Sequence, residues 1–138
     1  MEKNNKFFKI YFILVLVYAI IGLLDSFVFS GMKETFGQIS TIWMIIGSLF
    51  GLIKFILSII ALIIFIKKKF SKITLVIPIY HLVATVLLFI YGFAWGILSA
   101  VQGNSINEQL IPPGMIAIGI ISSLFELIFS IYILSKFK

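Results

Sequence analysis

Four ionisable side chains lie inside stretches that are otherwise apolar: Asp25, Lys54, His81 and Glu126. An ammonium, a carboxylate and an imidazole can pair, share charge or pass a proton. Each is costly in lipid, about 2.5 to 3.5 kcal/mol at a helix centre on insertion scales, so each takes a partner or serves a pathway. Lys54 and Glu126 carry opposite charges and can offset one another's burial, which points to an ion pair near the middle of a membrane. Such a pair fixes helix register first and only secondarily argues for activity; the competing reading turns one partner outward to another subunit. His81 belongs to the residue type whose charge changes near neutral pH, and could hand protons to Glu126. Asp25 lies toward a span end, within reach of water or of Lys33, and reads as an interfacial carboxylate.

Apolar helices must position these groups. The chain of 138 residues is 62% hydrophobic and 12% charged, with a mean hydropathy of +1.21, too little polar surface to coat a water-soluble domain. The predicted fold class is an all-α membrane protein, one integral membrane domain over residues 1–138. Four runs, at 7–30, 40–66, 73–101 and 113–135, are long enough to cross a hydrocarbon core, which takes about 20 helical residues. They are continuous rather than alternating, which excludes barrel strands and leaves helices to satisfy the backbone in lipid.

Lysine placement sets the expected orientation. Lys3, Lys6 and Lys9 stand at the start of the first run, Lys67, Lys68, Lys69 and Lys72 fill the middle connection, and Lys136 and Lys138 follow the last. Four spans put all three groups on one side, and the positive-inside rule makes that side cytoplasmic, with both termini in the cytoplasm of a cell-membrane protein. The net charge of +6 is then a membrane-surface signal and not a nucleic-acid footprint. Trp43 and Trp95 fall near the outer span ends and Tyr11 and Tyr132 near the inner ends, as interfacial anchors do. The N-terminal run has no clear cleavage signal and reads as an uncleaved first helix. Basic residues that are all lysine, beside abundant Ile, Phe and Asn, suggest an AT-rich prokaryotic genome.

One phrase is written twice. Residues 45–53 read IIGSLFGLI and 120–128 read IISSLFELI, while 6–10 read KFFKI and 69–73 read KFSKI. A duplicated helical hairpin in parallel orientation accounts for both matches, with Gly51 standing where the second copy has Glu126. Small and polar residues recur at helical spacing on each run: Tyr18, Gly22 and Asp25; Gly47, Gly51, Lys54 and Ser58; His81, Thr85, Gly92 and Gly96; Gly119, Ser122, Glu126 and Ser130. Steps of three and four place each set on one face. We expect these faces to form the inside of a four-helix bundle, with Gly47, Gly51, Gly119 and Ser122 as packing positions. Counting about 1.5 Å per residue from the flanking lysines puts His81 about 13 Å in, Glu126 about 15 Å, Lys54 about 20 Å and Asp25 about 24 Å. Pro78, one turn before His81, predicts a kink that opens space beside the imidazole. Pro112 and Pro113 fit the start of the fourth helix.

Absences narrow the chemistry. There is no cysteine, hence no disulfide, thiol nucleophile or thiolate metal site. No H-E-x-x-H, G-x-S-x-G or phosphate-loop pattern occurs. A metal site would need His81 with Asp25 and Glu126 at different depths, so neither metal nor cofactor is expected. The sequence reading is a non-enzymatic, contact-mediated membrane protein: an accessory, regulatory or immunity-type subunit that binds a membrane-protein partner, a peptide or lipid. The alternative is a small transporter or channel, acting as a homo-oligomer, with Lys54, Glu126, His81 and Asp25 along its pathway.

Overall fold

A computed structural model describes residues 5–31, 37–101 and 114–137, with side chains over 5–27, 46–101 and 114–137. They form four helices: α1 (Lys6–Gly31), α2 (Gly37–Lys67), α3 (Val76–Val101) and α4 (Met115–Lys136), with a short 3₁₀ turn at Lys72–Leu75 before α3. No strand occurs among the described residues. Each helix carries a segment long and apolar enough to cross a membrane. Many of its residues are Ile, Val and Phe, which are modest helix formers in water; without water, the helix is how a single segment can bond its own backbone.

The helix ends have local causes. Asn5 caps α1, its Oδ1 accepting the amides of Phe7 at 3.0 Å and Phe8 at 3.3 Å, which satisfies two of the donors that a helix start leaves over. At the end of α2 the Phe70 amide donates to the Phe65 carbonyl and the Lys69 amide to that of Ile66. Lys69 is left-handed between them, at φ 52°. This is a Schellman ending, with the usual apolar contact supplied by the rings of Phe65 and Phe70, 5.2 Å apart.

Pro78 corrects one expectation. It sits in the first turn of α3, where the missing amide hydrogen is not needed. The 3₁₀ turn stands where a kink was expected, and His81 is buried. α4 begins at Met115 behind left-handed Gly114, at φ 77°; Pro112, Pro113 and Lys33 lie outside the described residues, as does the side chain of Trp43.

The helices associate as two close pairs, α1 with α4 and α2 with α3, while the contacts joining the pairs are sparser. α1 and α4 run antiparallel with small residues facing: a Cβ built on Gly22 would lie 2.6 Å from Ser123 Oγ, and one on Gly119 would lie 3.3 Å from Ser26 Oγ. All four helices meet at the lysine-rich end. There Phe8 packs against Phe65, Phe70 and Phe137, each ring pair 5.7 Å between centroids, and Phe12 stacks on Phe65 at 6.1 Å. Toward the opposite end α2 and α3 bury no side chain beyond Ser58 and His81 among the described residues, and Phe89 is 74% exposed. Such apolar surface suits lipid and has no need of a protein partner.

Candidate functional site

At the floor of the open half, just above the aromatic cluster, polar side chains from all four helices meet. α2 supplies Lys54 and Ser58 one turn apart, α4 supplies Ser122 and Glu126 one turn apart, α3 supplies the neighbours Tyr80 and His81, and α1 supplies Tyr11. Ser58 stands nine residues from Lys67, Glu126 ten from Lys136, and His81 nine from Lys72 through the 3₁₀ turn that precedes α3, so similar rise makes them one layer.

Glu126 is the centre. Lys54 Nζ donates to both carboxylate oxygens, at 2.6 Å and 2.7 Å. The Ser122 hydroxyl approaches Oε1 at 3.4 Å and itself accepts from the Tyr80 hydroxyl at 2.7 Å. His81 Nε2 lies 3.2 Å from the same Oε1; the two are not aligned as a hydrogen bond, so this contact is one of charge and dipole. On the far side of the imidazole, Nδ1 is 2.9 Å from Ser58 Oγ and 3.5 Å from the Tyr11 hydroxyl. Tyr11 and Ser58 oxygens are 3.3 Å apart, and the Ser58 hydroxyl also reaches the Lys54 carbonyl at 2.8 Å.

The burial is uneven. The Glu126 side chain is 3% exposed and that of Lys54 is 27%; Ser58, Tyr11 and His81 are buried. A buried carboxylate with a bidentate ammonium keeps its charge at tolerable cost, whereas removing one partner leaves the other uncompensated, at about 3 to 5 kcal/mol.

The direction of the links is informative. Lys54–Glu126, His81–Glu126, Tyr80–Ser122, Tyr11–Ser58 and Tyr11–His81 each join a residue of the α2/α3 pair to one of the α1/α4 pair. The cluster is therefore the polar seam between two helix pairs. Lys54, His81 and Glu126 are brought together. Asp25 stays outside, one turn beyond Gly22 toward the other end of α1 and partly buried. Among the described residues no group of three or more His, Asp or Glu is placed to hold a metal.

The packing positions sort differently from expectation. Gly119 is in close contact, but Gly47 and Gly51 are exposed, and a Cβ on either would meet nothing within 4 Å. Gly51 thus does not make room for the Lys54–Glu126 meeting; the lysine stem reaches the carboxylate unaided. Ser122 turns toward α3 and Tyr80, and its neighbour Ser123 takes the place against α1. Tyr11, expected at the interface, is buried in the seam. Tyr132 does lie exposed near the lysine-rich end, with Lys136 Nζ 5.6 Å over its ring. Sequence reasoning missed Tyr11 and Tyr80 as members of the site. The available signal was that Tyr80 adjoins His81 at the cluster's depth.

No protein-family model matches the chain, and no curated protein or solved structure matches it significantly.

Proposed function

We propose that this is a non-enzymatic, multi-pass protein of a prokaryotic cell membrane that works by contact, as an accessory, regulatory or immunity-type subunit for a membrane protein, a peptide or lipid. Both termini and the 67–72 connection face the cytoplasm, the side that lysines favour. The hairpins arose by duplication: exchanging the first for the second swaps the close pairs α1/α4 and α3/α2, as a two-fold axis along the membrane normal requires.

One observation carries the reading. The ionisable groups of the cluster are engaged with one another across the seam, and the aromatic cluster of Phe8, Phe12, Phe65 and Phe70 closes the bundle on the lysine-rich side of them. Among the described residues a Cβ built on Gly47, Gly51, Gly92 or Gly96 would meet nothing within 4 Å, and at such positions another helix can approach closely.

A second reading, an oligomeric transporter or channel, is favoured by the accessibility of Lys54 beside its buried partner. Proteoliposomes separate the two. The contact reading expects proton, cation and small-solute flux equal to that of empty vesicles, and a co-purifying membrane partner that Gly51→Leu releases. Flux that Glu126→Gln or Lys54→Met abolishes would overturn it in favour of the pathway.

A further inference from the structure

We propose that His81 is a reversible proton-binding site in which Glu126 holds the charge and the Ser58 hydroxyl turns to serve both protonation states. This goes beyond the contact reading and stands apart from it, because filling one site needs no path across the chain.

Hydrogen counting leads there. Nε2 faces Glu126 Oε1 at 3.2 Å; the contact is not aligned as a hydrogen bond, but a bare Nε2 would set its lone pair against a carboxylate that offers lone pairs only, so charge and dipole place the proton on Nε2. Any change of charge must therefore occur at Nδ1. The atom nearest Nδ1 is Ser58 Oγ, at 2.9 Å. Ser58 has one hydroxyl hydrogen and two partners for it, Nδ1 and the Lys54 carbonyl at 2.8 Å. With Nδ1 bare, the hydrogen points to the imidazole. When Nδ1 takes a proton, the imidazole donates to Ser58 Oγ, and the hydroxyl turns to the carbonyl, which can only accept. The Tyr11 hydroxyl, 3.3 Å from Ser58 Oγ, can donate to that oxygen in both states. No heavy atom has to move.

Among the described residues, the charged and titratable groups around the ring fit this assignment. Tyr11 faces it from α1, Lys54 from α2, Tyr80 from α3 at 6.0 Å between rings, and Glu126 from α4. Loading forms one N–H bond, at Nδ1, and breaks one O–H bond of hydronium, which takes the Lys54–Glu126–His81 group from neutral to a single positive charge. Lys54 is the accessible member of the group.

His81 is the single histidine of the chain, so after removal of any tag every imidazole signal of the ¹⁵N-labelled protein in lipid nanodiscs belongs to it. Two-bond ¹H–¹⁵N correlations recorded from about pH 4.5 to 9 are expected to show the Nε2–H tautomer at the alkaline end and a reversible passage to the doubly protonated ring as pH falls. An Nδ1–H tautomer at the alkaline end, or an unchanged pattern over the whole range, would overturn the proposal. At the pH where half of the wild-type ring is doubly protonated, Glu126→Gln is expected to cut the ratio of doubly to singly protonated ring on the order of tenfold, the consequence of losing about 1.4 kcal/mol of charge stabilisation. Ser58→Ala, a smaller change that leaves the ion pair in place, is expected to lower it measurably. An unaltered fraction in the Ser58 variant removes the hydroxyl's role and with it the proposal.

Discussion

At the scale of single residues, the cluster shows how four helices with few polar atoms spend them. Lys54 is the longest donor available, and its stem carries the ammonium to a carboxylate that α4 keeps buried; the bidentate contact offsets the cost of burying that charge. Tyr11 works at lower stakes. Its hydroxyl is one of several around Ser58 and His81, and removing it leaves those two bonded to each other at 2.9 Å. Tyr11→Phe is therefore expected to cost less than about 1 kcal/mol in a reversible unfolding measurement in bicelles, the usual worth of an interhelical hydrogen bond in lipid. A loss several times larger would mean that the Tyr11 hydroxyl, and not the ion pair, anchors the seam.

At the scale of helices, small residues decide which faces approach. The α1/α4 contact runs in a constant antiparallel register, Gly22 to Ser123 and Ser26 to Gly119, continued by the Phe8–Phe137 ring pair at the lysine-rich end. Adding bulk tests it. Gly22→Ile is expected to destabilise the chain by about 1 to 3 kcal/mol through overpacking against Ser123, while Gly51→Ile, facing open space, leaves unfolding within about 0.5 kcal/mol of wild type. Equal losses at the two glycines would contradict the assigned faces. The existence and extent of the helices were legible in the sequence, because continuous apolar runs have one way to satisfy their backbones in lipid. Their rotation was less so. In a helix that is apolar all round, no amphipathic stripe tells Ser122 from Ser123, or an interfacial Tyr11 from a buried one; packing alone makes that choice. The depth of His81, Glu126 and Lys54 was legible, since helical rise is constant, and depth is what placed them within reach of each other. Pro78 misled because its effect depends on where α3 begins, and the 3₁₀ turn that sets this start has no strong sequence signal.

At the scale of the whole molecule, the described residues form two helix pairs closed at one end by phenylalanine rings and joined above them by a polar layer. The lysine-rich end is held by apolar packing. Opposite it, α2 and α3 present exposed apolar surface of a kind that suits lipid. The seam between these regions holds the two pairs together, and its strongest link is the bidentate Lys54–Glu126 contact. The most direct measurement is a double-mutant cycle on unfolding free energy in a lipid environment, using Lys54→Met, Glu126→Gln and the two together. Each single change leaves an unpaired polar or charged group in the seam and is expected to cost about 3 kcal/mol or more, while the double change costs clearly less than their sum. Additive losses would contradict the pairing on which the seam rests.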